Sequence, residues 1–169
     1  KLIEIYEKVV SKLLSFSRVK IIWGSDDMGF RGGPLISPDD LREFVLPGHK
    51  LMAKMSHDAG RPYLLHSCGK LDLIIDDLID DVRIDARHSF EDTIEDVISA
   101  CKKYGHRVAH LGGIDVDFLC RSGEDAIRKR VRTTLEECME GGSEGEDEIY
   151  GIQNEGHPVE RMFRQAVLL

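Results

Sequence analysis

Apolar segments of strand length alternate with amphipathic segments of helix length along most of this chain, and that alternation restricts the possible folds more than any other feature. Each strand segment is followed by enough residues for a helix before the next strand begins. Neighbouring strands are therefore expected to run parallel, with crossover helices between them. The segments predicted as strands are 19–23, 63–66, 82–85 and 107–111, with a fifth at 148–152. The pattern predicts an α/β fold.

The intervening helices are predicted from apolar spacing together with helix start and stop signals. Ser37 followed by Pro38 and two acidic residues is typical of a helix start, and Gly60 is expected to end that helix. Pro47 lies inside it and is expected to divide it. The segments predicted as helices are 2–16, 37–59, 71–79, 93–104, 122–139 and 158–167. We expect one domain over residues 1–169, with an atypical glycine- and acid-rich tail from about residue 141.

Composition excludes several classes of protein. The chain has 169 residues, 41% of them hydrophobic, and a formal net charge of −8, which argues against a nucleic-acid or polybasic membrane contact. No apolar run approaches the roughly 20 residues that span a bilayer. The 4 cysteines are irregularly spaced, which predicts reduced thiols in a cytoplasmic protein. The chain lacks an initiating Met and begins inside a helical pattern, so we expect it to lack its first part.

Polar side chains of the kinds used in catalysis follow the predicted strands. In parallel α/β folds, ligands bind at the edge of the sheet where the strands end, so we expect these groups to lie on one rim. Polar groups at the ends of four strands on one edge favour a functional site over chance surface polarity. The residues concerned are Asp26, Asp27, His66, Cys68, Asp85, His88 and Asp115.

His66 and Cys68 form the most specific pair on this rim. Residues two apart in an extended chain point to the same side, so an imidazole and a thiol are presented together. Both groups are ligands for zinc, although a zinc site needs three or four ligands. The alternative interpretation is a core histidine beside an inert buried thiol.

Each of the other groups also has a structural alternative. Asp26 and Asp27 would serve equally to cap or solvate a turn, and Asp85 with His88 would serve as a local turn hydrogen bond. Asp115 follows two glycines and is also typical of a turn in which an aspartate bonds the backbone. Three further histidines are expected at the surface or at helix ends: His49, His57 and His106.

Six segments of the sequence match a known family together: residues 23–27, 32–34, 37–38, 66–69, 88–92 and 112–117. With these segments the chain resembles the uroporphyrinogen decarboxylase superfamily. That resemblance implies a (β/α)₈ TIM barrel, of which this chain would supply only the later four or five βα units, because eight strands are needed to close the barrel.

The family contains both true decarboxylases and zinc-dependent corrinoid methyltransferases. The methyltransferase branch has the H-x-C pattern at this strand, so the resemblance implies that His66 and Cys68 are zinc ligands and that a corrinoid is the methyl donor. A thiol would be the methyl acceptor. The branch completes its site with a cysteine near the last strand, where this chain has 150–154 without one. Either no metal binds, or the site is completed by another group, for which the candidates are Asp26, Asp27, Glu155 and His157.

The resemblance also implies roles for the other rim residues. The residues expected to be catalytic are Asp26, Asp27, His88 and Asp115. The residues expected to contact substrate are Met28, Arg31, Asp85 and His157.

Two alternatives to methyl transfer stay open. Residues 154–157 are similar to the N-x-G-H turn of true decarboxylases, which favours decarboxylation of a porphyrinogen in haem biosynthesis without a metal. An incomplete barrel without activity is the other, and its uncovered sheet edge would pair with a second copy or with a missing barrel half. In all three interpretations we expect a homo-oligomer or such a paired half.

Overall fold

The computed structural model describes residues 1–140. Its helices are α1 (Leu2–Leu14), α2 (Pro38–Asp40), α3 (Leu46–Asp58), α4 (Val97–Tyr104), α5 (Val116–Arg121) and α6 (Glu124–Glu140), with π-helical turns at Leu41–Val45 and Asp77–Val82. Its strands are β1 (Ile22–Ser25), β2 (Gly29–Phe30), β3 (Gly33–Pro34), β4 (Tyr63–His66), β5 (Ala86–His88) and β6 (Ala109–His110). The predicted strand at 148–152, the helix at 158–167 and the tail from 141 lie outside the described residues.

Four strands form one parallel sheet in the order in which they occur along the chain, β1-β4-β5-β6. This order confirms the α/β fold with crossover connections, and it is the order of consecutive strands in a TIM barrel. β2 and β3 form a separate antiparallel ribbon in the connection that follows β1.

The two faces of the sheet have different surroundings. Ile22, Tyr63 and Leu65 point to one face and belong to the main hydrophobic core, which the helices cover. Their neighbours along the strands point to the opposite face, because side chains alternate in a strand. In register across that second face lie Trp23 with Leu64 and Ala86, followed at the strand ends by Ser25, His66 and His88.

The predicted strand at 82–85 is wrong. Val82 is the last residue of the π-helical turn Asp77–Val82. Arg83 then takes a left-handed conformation (φ 64°) that ends the turn. Val82 and Ile84 are buried as the strand-like pattern requires, but they belong to the connection and the strand begins only at Ala86.

The helix signals before α3 are confirmed. The Ser37 side chain accepts a hydrogen bond from the backbone N–H of Asp40, and the π-helical turn Leu41–Val45 lies just ahead of Pro47. Proline has no N–H to donate to the carbonyl four residues earlier and its ring crowds that carbonyl, which accounts for the widened turn. The predicted helix at 122–139 corresponds to α6, and a separate helix, α5, precedes it.

In the described part of the chain, no helix is long and apolar enough to cross a membrane.

Candidate metal centre

Three side chains of different chemistry meet at the carboxyl ends of β1 and β4. One ligand atom each from Asp27, His66 and Cys68 lies within 4.8 Å of the other two. His66 Nε2 is 3.4 Å from Asp27 Oδ1 and 3.5 Å from Cys68 Sγ. The imidazole therefore lies between a carboxylate and a thiol, each from a strand exit.

The backbone of the two exits holds this cluster together. Asp27 Oδ1 accepts a hydrogen bond from the backbone N–H of Cys68 at 3.1 Å, and the buried Ser67 hydroxyl accepts one from the N–H of Met28. Gly69 permits the close approach of the two loops, because a Cβ there would lie 2.1 Å from the carbonyl carbon of Gly29. The H-S-C-G sequence thus places each residue for a local reason.

The exit of β5 supplies the second layer around the cluster. His88 Nδ1 is 2.6 Å from His66 Nδ1, and the Ser89 hydroxyl is 3.6 Å from Cys68 Sγ. Trp23 lies edge-on to the His88 ring, with 5.7 Å between ring centroids. Together with β1 and β4, β5 therefore contributes a third neighbouring strand end to the same rim.

Neighbouring groups shift the pKa values of Asp27, Cys68 and His88 in different directions. The backbone N–H of Cys68, its thiol and the nearby His66 lower the pKa of the Asp27 carboxyl, so this group is ionised near neutral pH. The Ser89 hydroxyl lowers the pKa of the Cys68 thiol, but burial and the Asp27 carboxylate raise it more. The pKa of this thiol therefore lies above its ordinary value. Burial and the adjacent His66 lower the pKa of His88, which favours its neutral form.

The donor set fits a zinc ion. Imidazole nitrogen, thiolate sulfur and carboxylate oxygen are the three ligand types of protein zinc sites, and three protein ligands leave a fourth position for substrate, as in catalytic zinc sites. The positive charge of the ion would also oppose the carboxylate that disfavours the Cys68 thiolate.

Of the candidates for a third ligand, the structure brings Asp27 into the cluster. Asp26 turns instead towards α3, where its Oδ2 is 3.4 Å from Nε2 of the buried His49. Glu155 and His157 lie outside the described residues.

Two residues predicted to contact substrate, Asp85 and Met28, have side chains that lie away from the cluster. Asp85 precedes β5 and lies at the opposite edge of the sheet, where its Oδ2 accepts a hydrogen bond from the N–H of Tyr63 and contacts His57 Nε2, each at 2.7 Å. The displaced strand boundary is the reason. Met28 is 2% exposed and packs in the main core, so its side chain is covered by protein.

The other three predicted site residues, Arg31, Asp115 and His157, are not part of the cluster that the described residues form. Arg31 is exposed in the turn between β2 and β3. Asp115 is the N-cap of α5, accepting hydrogen bonds from the N–H groups of Asp117 and Phe118, and its other oxygen accepts from the N–H of Asp92. Asp115, predicted to be catalytic, thus makes the hydrogen bonds of the structural alternative, in which an aspartate bonds the backbone of a turn. His157 lies outside the described residues.

Sequence reasoning missed three polar residues around the site. Ser67 and Ser89 lie between or beside the conspicuous groups, and a serine in a loop gives no signal of burial. His49 was expected at the surface but is 4% exposed, with Nδ1 2.8 Å from the Tyr63 hydroxyl. Its position between Pro47 and a run of apolar residues on α3 was the available signal.

Comparison with known proteins settles the family. A family model described as uroporphyrinogen decarboxylase (URO-D) matches residues 25–157, which is most of the chain. This chain belongs to that family. The matched span includes both strand exits that form the cluster, and the family's TIM barrel agrees with the parallel sheet in chain order. A search of curated proteins and a search of solved structures found no match.

Proposed function

We propose that this member of the family is a zinc-dependent methyltransferase that transfers a methyl group from a corrinoid to a thiol. The observation that carries the proposal is the convergence of Asp27, His66 and Cys68 within 4.8 Å at the carboxyl edge of the sheet. Imidazole, thiolate and carboxylate are the three ligand types of protein zinc sites, and here they meet at the edge of the sheet where ligands bind in parallel α/β folds.

A zinc ion held by these three residues would supply the positive charge that keeps a substrate thiol deprotonated and nucleophilic near neutral pH. The chain's own residues do the positioning. Asp27 and Cys68 come from two different exits that are hydrogen-bonded to each other, so their separation is fixed before any ligand arrives. Trp23, half exposed on the same face of the sheet, offers an apolar wall beside His88.

The test is methyl transfer by the zinc-loaded chain. Methylcobalamin and a small thiol are the substrates, and the thioether product is measured. Cys68→Ser should lower the rate at least about 100-fold because the oxygen replaces a thiolate ligand. Cys120→Ser, at an exposed position on α5, is the matched control and should leave the rate unchanged. A rate no higher than that without protein, or one unaffected by Cys68→Ser, would contradict the proposal.

Decarboxylation of a porphyrinogen without metal is the second candidate. It is favoured by the description of the matching family model and by a match that reaches residue 157, the histidine of the N-x-G-H segment. Release of CO₂ from a porphyrinogen by chelator-treated protein, lost in His157→Ala and kept in Cys68→Ser, would support this candidate over methyl transfer.

A further inference from the structure

The two nitrogens of the His66 ring face different partners. Nε2 points towards Asp27 and Cys68, whereas Nδ1 is 2.6 Å from Nδ1 of His88. A contact of that length between two ring nitrogens is a hydrogen bond, so one nitrogen carries the proton and the other accepts it. The proton's position decides which nitrogen of His66 has a free lone pair.

Metal binding needs the lone pair on Nε2, the nitrogen that faces the other two ligands. In a neutral imidazole the proton must then be on Nδ1, which donates to His88. His88 accepts with its own Nδ1, and its proton is on Nε2. We propose that His88 is a positioning residue that fixes His66 in the tautomer and ring orientation required to bind the ion. This inference rests on the proposed zinc site and extends it to a residue that the sequence had suggested as catalytic.

Three contacts hold His88 in this role. Its backbone pairs in register with His66 in the parallel sheet, so the two rings leave the same face at the same height. Trp23 packs edge-on against the ring. On the far side lies Gly112, where a Cβ would be 3.1 Å from His88 Cδ2. The ring is therefore confined between neighbouring exits, and its Nδ1 stays directed at His66.

Zinc affinity of the whole chain, measured by competition with a chromophoric chelator, tests the inference. His88→Leu removes the acceptor and should weaken zinc binding by about 10–100-fold, the usual effect of losing an outer partner of a ligating histidine. His88→Asn places an amide oxygen near the position of Nδ1 and should bind zinc within about threefold of the wild type. His106→Leu, at an exposed position, is the matched control and should not change the affinity.

A second measurement does not depend on any variant folding. In the zinc-loaded wild-type chain with ¹⁵N-labelled histidine, NMR should show the proton of His66 on Nδ1. Wild-type affinity in folded His88→Leu, or a His66 Nδ1 without a proton, would overturn the inference while the zinc site stands. A wild-type chain that binds no zinc would overturn both the inference and the proposed function.

Discussion

At the scale of single residues, neighbours decide what each polar group can do. Asp26 and Asp27 are adjacent and identical in type, yet Asp26 contacts a buried histidine of α3 and Asp27 joins His66 and Cys68. The sequence predicted that both lie at the rim, but it left open which would complete the site. That choice depends on the hydrogen bond from the backbone N–H of Cys68 to the Asp27 carboxylate. The two residues are 41 positions apart in the sequence, so no local pattern predicts this bond.

The two aspartates therefore form a matched pair of variants. Asp27→Ala removes a ligand and should weaken zinc binding at least about tenfold, since even the loss of an outer partner has that effect. Asp26→Ala should leave zinc affinity nearly unchanged, because its carboxylate lies outside the cluster. Isothermal titration with zinc measures both, and equal losses in the two variants would exclude Asp27 as the specific third ligand.

Buried histidines should make stability depend on pH. Burial lowers the pKa of His110 below 6.5, and neither ring nitrogen has a hydrogen-bond partner at normal geometry in the described residues. The unfolded chain then binds more protons below about pH 6.5, so the free energy of unfolding falls as the pH drops from 7 to 5.

His110→Phe should reduce that fall, because phenylalanine keeps the stacking on Phe90 and has no proton to bind. Urea denaturation at several pH values measures it, with the exposed His106→Phe as control. The pKa values of Asp27, Asp96 and Asp115 are also lowered in the folded chain. Their protonation lowers the free energy of unfolding mainly below about pH 4, which is outside the range from pH 5 to 7. A slope between pH 5 and 7 that does not change in His110→Phe would contradict this account.

At the scale of elements, local signals were reliable where one residue type controls the backbone. Ser37 caps its helix as predicted. Pro47 was expected to divide the helix, and the structure shows a widened turn ahead of it instead of a break. The strand at 82–85 was misplaced because burial of Val82 and Ile84 is the same in a strand and in a helix end. A left-handed Arg83 in place of the usual glycine removed the stop signal that would have separated them.

The helix start at Ser37 gives an element-scale prediction. Ser37→Ala should lower the free energy of unfolding by about 1 kcal/mol, since the N–H of Asp40 loses its side-chain acceptor. Ser17→Ala, an exposed serine outside any helix, is the control and should change stability little. Urea denaturation compares them, and equal stabilities would show that the cap contributes nothing measurable.

At the scale of the whole molecule, the parallel sheet formed by residues 1–140 is open at β1. Among the described residues β1 pairs with β4 alone, and α1 beside it exposes apolar side chains at Leu2, Tyr6 and Val9. An open strand edge next to exposed apolar surface favours association. The family's barrel closes with eight strands, and the sheet of residues 1–140 has four. No strand within residues 1–140 therefore pairs with the free edge of β1.

We expect the chain alone to form a dimer with a second copy through this surface. Val9→Glu should raise the dimer dissociation constant at least about tenfold, because it places a charge in the contact. Ser11→Glu, on the same helix at a polar position, should have little effect. Sedimentation velocity over a range of concentrations measures both, and a wild-type chain that stays monomeric would contradict the expectation.

The central claim is that two strand exits form one metal site, and bound zinc tests it most directly. Each purified chain is incubated with excess zinc, desalted and analysed for metal content. We expect about one zinc ion per wild-type chain and per Asp26→Ala chain, and almost none in His66→Ala or Cys68→Ala. A wild-type chain that retains no zinc, or that retains as much after loss of Cys68, would contradict the account.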